Sequence, residues 1–533
     1  MLHDLLQTNS ILLNACLGVG TLLLAHRFWA FSLKAWLYPS QPKDLPYWIP
    51  FIGHTFGFFQ NYAGLIEHGM TYFGRVRKPF TIQLLGKKLY VCTDPDNVSD
   101  IFDDVHGFNF DTHLTSLLTN FGISQDSLRR AWHEPKPGDW CYIPNNPINP
   151  KQKSLIHCME DIYRLQLLPG QHMDDWCASF LGSVQRSMAT MDDMLPFATT
   201  DNSIPGVRQE AQQVTQARLY DIVSFFSVQA TATAMFGSSL FTIAPTIVND
   251  MLAFNKHVWM ILFQRPNIMG LPVDGPRQRI MQAMRDYLQI PVEKRQDASW
   301  VVHQVVRGME IVQMDSESIT SMLLMILWAA VSNEHNSCFW LIAYILYDKA
   351  LFESVKAETD AAWSSGQLDI KSLHMNSPNL DAAFNEVLRL KNSAAAVRVA
   401  TNKSTIGGTT IPAGSMIVMP FRQLHMNEKV WGPNVAEFDP TRFLQRKSWA
   451  RSSSFRPFGG GSTLCPGQVL ARQEVYGFVA ILLKRFDVAL ALNEANEKPE
   501  FPHLNTVTPS FGINGPMEGT DIIINIAEYG KTT

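Results

Sequence analysis

The chain opens with an almost continuously apolar stretch and continues with a mostly helical pattern. Residues 5–25 contain few polar side chains, and a helix of about 21 residues spans about 30 Å, the thickness of a bilayer's hydrocarbon core. The basic cluster that precedes the apolar run of a cleaved signal peptide is missing, whereas Arg27 and Lys34 follow the stretch. By the positive-inside rule, this pattern predicts an uncleaved transmembrane helix in residues 1–38, with the rest of the protein in the cytoplasm.

The segments after this anchor predict a stiff connector and two hairpins. Residues 39–53 contain four prolines, a density that prevents a helix and predicts an extended hinge. Alternating apolar and polar residues then predict a first hairpin that joins residues 80–85 to 89–92. A second hairpin is predicted between residues 404–410 and 411–419, across a Pro-Ala-Gly turn.

One long helix is interrupted in a way that indicates a site. Residues 316–347 are apolar at both ends but carry five consecutive polar residues at 332–336. A second transmembrane span is the alternative, yet that polar group would be costly in lipid. We therefore predict a buried helix whose polar break faces a cofactor. Residues 107–150, by contrast, are polar and proline-rich and predict a long irregular loop.

Composition favours one large domain over several small ones. The 533 residues are 46% hydrophobic, enough for a sizeable core, and beyond the hinge no linker-like or repeated segment divides them. The net charge of −4 and the lack of a basic, aromatic-interleaved patch argue against a nucleic-acid partner. Seven scattered cysteines form no disulfide framework. Residues 54–533 are predicted to form a single, mainly helical domain with reduced thiols.

The candidate chemistry centres on Cys465, which follows three consecutive glycines and precedes Pro466 and Gly467. Glycines suit a tight turn pressed against a planar ligand, and Pro466 fits the first position of a helix. A cysteine at a helix N-terminus is expected to have a lowered thiol pKa, so that it can bind a metal as thiolate.

The residues around Cys465 leave its ligand open. A phosphate loop is disfavoured because the Lys-Ser/Thr ending is missing, and a zinc site lacks companion ligands. Haem, which one protein ligand can satisfy, and a purely structural cysteine both remain.

The sequence also resembles a known family. The positions around Cys465 that match the haem-binding signature of the cytochrome P450 superfamily are Phe458, Gly461, Cys465 and Gly467. Further motifs occur in the family's order, namely Glu386 and Arg389 of its E-x-x-R, Arg442 of the segment that follows, and the interrupted helix upstream. The resemblance covers nearly the whole chain. It implies a mainly α cytochrome P450 fold with small β-sheets, preceded by an N-terminal transmembrane helix.

The resemblance also implies a role for each matching residue. Cys465 would be the sole protein ligand to the iron of haem b, and Arg398 would lie at a haem propionate. Thr463 is the residue at the propionate position where many members have Arg or His, and members of the cholesterol 7α-hydroxylase type also have a small polar residue there. The family's W-x-x-x-R, whose arginine holds a propionate, has no clean copy here. Glu386, Arg389 and Arg442 would form a structural trio that packs the cysteine loop. The substrate pocket would be lined by Ala329, Ala330, Ala395, Val397, Phe511 and Ile513, the last two at the tip of a C-terminal hairpin.

The polar break departs from the family's usual pattern. Asn333 stands where most members have Thr, and Ser332 where most have Asp or Glu, a pair that normally relays protons. Together with the neighbouring motifs at 327–329 and 339–340, Asn333 resembles the branch of sterol 7α- and 12α-hydroxylases and prostacyclin synthase. We expect Ser332 and Asn333 to be catalytic by ordering water. A polar side chain satisfied by a helix carbonyl is the alternative.

The resemblance implies a membrane-bound haem-thiolate monooxygenase. It would oxidise a bulky apolar substrate, such as a steroid or triterpenoid in a biosynthetic pathway, with O2 and electrons from NADPH. NADPH-cytochrome P450 reductase would dock on the basic residues of 442–472, although a solvated face is equally consistent with that bias. The protein would sit in the endoplasmic reticulum membrane by one span. The alternatives are an isomerase that rearranges a peroxide without reductase and a non-enzymatic haem module.

Overall fold

The computed structural model describes residues 2–199, 214–264, 270–510 and 512–530. Within these ranges the chain is mainly helical. The helices up to residue 311 are α1 (Leu2–Phe28), α2 (Lys34–Leu37), α3 (Thr55–Gln60), α4 (Tyr62–Tyr72), α5 (Pro95–Asp103), α6 (Asp111–Phe121), α7 (Gln125–Trp132), α8 (Leu155–Leu167), α9 (Gln171–Ser187), α10 (Leu219–Phe236), α11 (Ser239–Ile243), α12 (Ile247–His257), α13 (Trp259–Leu262), α14 (Asp274–Gln289) and α15 (Trp300–Ile311). The later helices are α16 (Ser316–Val331), α17 (Glu334–Tyr347), α18 (Lys349–Ala361), α19 (Ile370–Asn376), α20 (Pro378–Lys391), α21 (Phe421–His425), α22 (Glu428–Trp431), α23 (Thr441–Gln445) and α24 (Gln468–Arg485).

The strands form small sheets at the margins of the helical core. They are β1 (Lys43–Asp44), β2 (Phe80–Leu84), β3 (Lys87–Val91), β4 (Phe108–Asn109), β5 (Thr215–Arg218), β6 (Trp363–Ser364), β7 (Gln367–Leu368), β8 (Ala395–Ala400), β9 (Ser404–Ile406), β10 (Thr409–Ile411), β11 (Met416–Pro420), β12 (Phe486–Leu490) and β13 (Ile523–Glu528). The largest sheet has the order β1-β2-β3-β11-β8-β4, and a second has the order β12-β13-β5. The mainly helical fold with small sheets is the one predicted from the sequence.

The first predicted hairpin is confirmed and the second is wrong. β2 and β3 pair antiparallel, with Phe80 opposite Val91. β9 instead pairs with β10 across Gly407 and Gly408, both at positive φ, because a two-residue Gly-Gly turn matches the twist of a hairpin. β11 belongs to the large sheet, antiparallel to β8 and parallel to β3.

The region predicted as one long loop contains two helices. α6 ends at Gly122, whose φ of 104° closes the helix, and α7 starts after Ser124, whose hydroxyl accepts from the Ser127 amide. The prolines of this region all follow residue 134. Only residues 133–153 are therefore irregular, and the prediction for 107–132 is wrong.

The N-terminal helix is long enough to cross a membrane. α1 continues through a π-helical turn, Trp29–Leu33, into α2. Among the described residues, Leu13–Leu37 is the one helix of sufficient length and apolarity, with a mean hydropathy of 1.3 and no buried residue in that stretch. Its 25 residues would span about 37 Å.

The core lies where α9, α10, α17 and α24 pack together. α17 is buried along almost its whole length, with Phe339 and Trp340 at 0% exposure, and each fully buried side chain of this kind contributes about 1.5–3 kcal/mol. α24 approaches α9 closely at Gly477, where a methyl group would overlap Leu181. This bundle supports the cysteine loop, which leads directly into α24.

Candidate active site

The cysteine loop is a glycine turn that ends at α24. Gly459 and Gly461 have φ values of 85° and 59°, so the predicted need for glycine is confirmed at both. The Cys465 amide donates to the Phe458 carbonyl at 2.9 Å and closes the loop. α24 begins at Gln468 with Gly467 as its N-cap. The prediction that Pro466 is the first helical residue is therefore wrong.

This later helix start changes the electrostatics of the thiol. The Gly467 amide donates a hydrogen bond to the sulfur and stabilises the thiolate, but burial among protein atoms outweighs it and raises the pKa of Cys465. The predicted lowering is wrong, because Pro466 has no N–H and the first turn of α24 starts beyond the cysteine. Cys465 is nevertheless solvent-accessible, as is Cys16 in α1, whereas the other five cysteines are buried. The residue therefore has an open side, although protein atoms surround most of the sulfur.

Arg398 on β8 is a buried cation without an anion. Its Nη1 donates to the Val397 carbonyl at 2.8 Å and its Nη2 to the Thr463 hydroxyl at 2.6 Å, and it lies over the rings of Phe102 and Phe110. The residue is 3% exposed, and burial lowers its pKa to about 10. No carboxylate of the described ranges pairs with it. Because a buried guanidinium stays charged and needs a counter-charge, this donor set fits a haem propionate.

Two further buried polar groups lack a protein partner, and one of them lies near Arg398. Burial lowers the pKa of His113 to about 4, with the charge of Arg398 adding to the effect. Within the described part of the chain, His113 Nδ1 and Trp132 Nε1 are buried without a hydrogen-bond partner, and the Trp132 ring packs edge-on against His157. The sequence did not point to His113, which lies outside the family's W-x-x-x-R pattern. A neutral His113 can donate to the anionic group that Arg398 requires.

Glu386, Arg389 and Arg442 come together in the interior of the protein. Arg389 donates to both carboxylate oxygens of Glu386, at 2.8 and 2.6 Å, and both residues are 0% exposed. Arg442 Nε lies 3.4 Å from Glu386 Oε1. Arg389 Nη1 also reaches the carbonyls of His425 and Val435. The trio thus ties α20 to the segment that leads into the loop.

The long helix breaks at Ser332 and Asn333, between α16 and α17. Asn333 Oδ1 accepts from the Ile513 amide at 2.9 Å, and its Nδ2 donates to the Ser332 hydroxyl at 3.1 Å. His335 Nδ1 lies 2.8 Å from the carbonyl four residues earlier, and the Ser337 hydroxyl donates to the Asn333 carbonyl. Such side-chain bonds to helix carbonyls compete with regular helical bonding.

The two faces of this break differ. Ala329 is exposed and Ala330 and Ser332 are half-buried, although they sit in an otherwise buried helix. Glu334 instead points at α10, where its Oε2 accepts from the Thr231 hydroxyl at 2.6 Å, and His335 is 1% exposed. Ser332 and Asn333 are therefore the polar residues of the break that are only half-buried.

Contacts connect the break to the cysteine loop. Asn392 Nδ2 donates to the Pro457 carbonyl at 2.9 Å, and Asn392 also forms a β-bridge with Ile513. Ala395 and Val397 follow on β8 and are half-buried. Ile513, β8, the break and the cysteine loop therefore surround one region, while Phe511 lies outside the described residues. Phe458 packs against the core and the Arg472 guanidinium.

The predicted basic face is only half present. Three of its six residues turn inward: Arg442 pairs with Glu386, Arg456 donates to the Ser99 hydroxyl, and Arg472 donates to Asn385. Arg446, Lys447 and Arg451 are exposed. The expectation of a six-residue docking face is wrong, because a run of charges in sequence did not reveal which of them have internal acceptors.

Two surface cavities lie away from Cys465 and the helix break. One, of about 430 Å³, lies between α9, α19 and α24 and is lined by Cys177, Lys371 and Gln473 among others. The other, of about 310 Å³, borders α22 and α23 and is lined by Arg442 and Arg446 among others. Neither cavity contains Cys465, so the candidate site is defined by the side chains described above.

Comparison with known proteins gives a consistent result. A family model described as "Cytochrome P450" matches residues 200–513, more than half of the chain. "Cytochrome P450 monooxygenase poxD" of Penicillium oxalicum is 22% identical over 480 residues, 88% of this chain and 90% of that protein. "Steroid 17-alpha-hydroxylase/17,20 lyase" of Rana dybowskii is 31% identical over 201 residues, 36% of each chain. "Beta-amyrin 11-oxidase" of Glycyrrhiza uralensis is 31% identical over 180 residues, 33% of this chain and 36% of that protein.

Proposed function

The chain belongs to the cytochrome P450 family and is a monooxygenase, and from this premise we propose that Cys465 is its sole protein ligand to haem b. The observation that carries the proposal is the presence of both the Cys465 thiol and the Arg398 guanidinium at one loop. The solvent-accessible thiol of Cys465 shares its loop with Thr463, which accepts from the unpaired, buried Arg398. A thiolate and a cation in one loop suit the iron and a propionate of the same cofactor.

Haem held by a thiolate supplies the activation of dioxygen. The residues of this chain would bind and orient the haem. The Gly467 amide holds the sulfur, Arg398 would neutralise one propionate with the Thr463 hydroxyl beside it, and His113 would donate to the same group. Glu386, Arg389 and Arg442 would hold the segment that leads into the loop. One oxygen atom enters the substrate, the other becomes water, and NADPH supplies the two electrons through a reductase.

The substrate is a bulky apolar molecule such as a steroid or triterpenoid, oxidised within a biosynthetic pathway. Support comes from the pocket walls, Ala329, Ala330, Ala395, Val397 and Ile513, which are small or apolar and offer no charge to a ligand. Local similarity to a steroid hydroxylase and to an amyrin oxidase points the same way. The sterol 7α- and 12α-hydroxylase branch rests on the motifs around Asn333 and on Thr463.

Ser332 and Asn333 form the polar pair proposed for catalysis, in which Asn333 positions Ser332. A carboxamide supplies no proton at neutral pH, and Asn333 Oδ1 is engaged by the Ile513 amide. The Ser332 hydroxyl, half-buried and accepting from Asn333 Nδ2, is therefore the group that would order water for proton delivery. We expect Ser332→Ala to lower product formation and divert NADPH electrons into hydrogen peroxide.

The N-terminal helix anchors the protein in the endoplasmic reticulum membrane, with the catalytic domain in the cytoplasm. Leu13–Leu37 has the length and apolarity for one span, Arg27 lies in the last turn of α1, and Lys34 begins α2. NADPH-cytochrome P450 reductase shares that side of the membrane. Its acidic surface would meet the exposed Arg446, Lys447 and Arg451.

The test is turnover in lipid nanodiscs with steroid and triterpenoid substrates, with and without reductase and NADPH. We expect products that have gained one oxygen atom from O2 and that require both partners. Product formed from a peroxide substrate without NADPH would contradict the proposal and favour the isomerase. Failure to turn over any substrate, despite intact haem, would favour a non-enzymatic haem module.

A further inference from the structure

Residues 512–514 have a partner for every backbone polar group. Buried backbone groups need such partners, and here six bonds supply them. The six bonds are Gly512 N to the Ser510 hydroxyl at 3.1 Å, Ser393 N to the Gly512 carbonyl at 2.9 Å, Ile513 N to Asn333 Oδ1 at 2.9 Å, Asn336 Nδ2 to the Ile513 carbonyl at 2.9 Å, Asn514 N to the Lys391 carbonyl at 3.2 Å, and Trp340 Nε1 to the Asn514 carbonyl at 2.7 Å.

Three of these partners are side chains of α17 and its N-cap. Asn333, Asn336 and Trp340 are spaced three and four residues apart, so they project from one face of the helix. Asn336 is 5% and Trp340 0% exposed. Their side chains therefore have little solvent as an alternative partner, and each bond to the loop is costly to lose.

The amide of Asn336 is oriented by a second residue. The Tyr220 hydroxyl donates to Asn336 Oδ1 at 2.9 Å, which leaves the NH2 group to face the Ile513 carbonyl. Tyr220 belongs to α10, so the loop is connected through Asn336 to the four-helix core rather than to α17 alone.

Gly512 permits the hydrogen bond between Asn333 and the Ile513 amide. A methyl group at this position would overlap the Asn333 carboxamide. Asn333 can thus reach the Ile513 amide only because residue 512 has no side chain, and the break in the helix brings Asn333 to that distance.

We propose that Asn333, Asn336 and Trp340 are positioning residues that fix Ile513 in the wall of the substrate pocket, and we call them the 333–336–340 latch. The effect of the latch on substrate selection rests on the proposed monooxygenase function, whereas its hydrogen bonds do not. The latch sets the depth of the pocket beside Ile513 and so selects which part of a rigid apolar substrate approaches the haem. Asn333 contributes mainly through its oxygen, which holds the loop.

Hydrogen exchange in the full-length haem-loaded protein tests the latch directly. Asn333→Ala and Trp340→Phe each remove one bond, and we expect the backbone amides of 512–514 to exchange about 3- to 10-fold faster. Asn333→Asp keeps the accepting oxygen and should restore slow exchange. Trp328→Phe is the matched control, because that indole on α16 donates instead to Asn255 and should leave the loop unchanged. Unchanged exchange in both Asn333→Ala and Trp340→Phe would overturn the latch, as would an equal rise in Trp328→Phe.

Ligand binding tests its consequence for the pocket. Imidazole and 4-phenylimidazole both bind haem iron, but only the larger probe reaches the pocket wall. We expect Asn336→Leu and Trp340→Phe to change the affinity for 4-phenylimidazole about 3- to 10-fold and leave that for imidazole unchanged. Equal changes for both probes, or none for either, would overturn the role in specificity. Neither measurement depends on turnover, so a failure of the proposed reaction would be recognised separately.

Discussion

Two buried arginines of this protein differ in how their positive charge is balanced. Arg389 is 0% exposed and carries its own anion, the bidentate Glu386. Arg398 is 3% exposed and has a hydroxyl and a carbonyl, but no carboxylate among the described residues. A buried charge without a partner costs several kcal/mol. The first arginine is therefore complete within the chain, whereas the second is complete only with an anionic ligand.

A buried pair of carboxyl groups avoids an uncompensated charge in a third way, by remaining protonated. Glu474 accepts from Trp176 Nε1 at 2.8 Å, and burial raises its pKa to about 8. Burial and the neighbouring Glu474 also raise the pKa of Glu334. A carboxyl group can become neutral in this way, but a guanidinium cannot. An unpaired buried arginine is for this reason a stronger indicator of a missing ligand than an unpaired buried glutamate.

The largest expected effect is a difference in the free energy of unfolding between variants of the two arginines. Arg389→Leu leaves Glu386 buried without its bidentate partner, and we expect a loss of about 3–5 kcal/mol in the free energy of unfolding. Arg398→Leu removes an unpaired cation and should not destabilise the haem-free chain. Chemical denaturation of the detergent-solubilised protein measures both.

If Arg389→Leu fails to accumulate, Arg389→Lys provides the same test at smaller amplitude, because it keeps the charge but loses the fork of hydrogen bonds. Equal destabilisation of the haem-free chain by the two leucine variants would contradict the comparison.

A smaller effect concerns retention of the cofactor. Arg398→Met should weaken haem binding about 10- to 100-fold, since a charge-assisted hydrogen bond contributes about 1.5–3 kcal/mol. Transfer of haem to an excess of haem-free globin gives the rate. Arg277→Met is the control, because Arg277 donates to the Phe121 carbonyl and does not contact the cysteine loop. Similar retention in both variants would show that Arg398 does not pair with haem.

The smallest effect is a pH dependence. Burial raises the pKa of Glu474 in the folded protein to about 8, whereas a glutamic acid in the unfolded chain has its ordinary pKa of 4.5. The raised pKa therefore contributes stability that is fully present below that value and is lost as the pH rises toward 8.

Glu474→Gln can still accept from Trp176 and should flatten this decline relative to the parent. The denaturation midpoint between about pH 5 and 8 is the measurement. Glu317→Gln, at an exposed glutamate, should keep the parent slope. Parallel profiles for Glu474→Gln and the parent would contradict the assignment.

The features predicted correctly from sequence have local causes. The apolar run defines the N-terminal helix, the alternation on both sides of one turn defines β2 and β3, and a glycine turn before an apolar helix defines the loop of Cys465. The motif also placed Glu386 and Arg389 three residues apart, where helical geometry brings their side chains together. Short-range periodicity and steric preference suffice for all of these.

The features that sequence did not predict depend on distant contacts. Asn333 and Ile513 are 180 residues apart, and no local pattern links Asn336 or Trp340 to that loop. His113 was missed because the charge nearest to it, Arg398, comes from β8, far along the chain. The direction of the Cys465 pKa was predicted wrongly because it depends on how much protein surrounds the sulfur, a property of the packed core rather than of the turn.

The central claim is that Cys465 alone ligates the haem iron through its thiolate. The reduced carbon monoxide complex tests this directly, because thiolate ligation gives a strongly red-shifted Soret band. Cys16 is the other exposed cysteine, so Cys16→Ala serves as the matched control. We predict that the red-shifted band is present in the parent and in Cys16→Ala and is lost in Cys465→Ala. A red-shifted band that persists in Cys465→Ala would contradict the account.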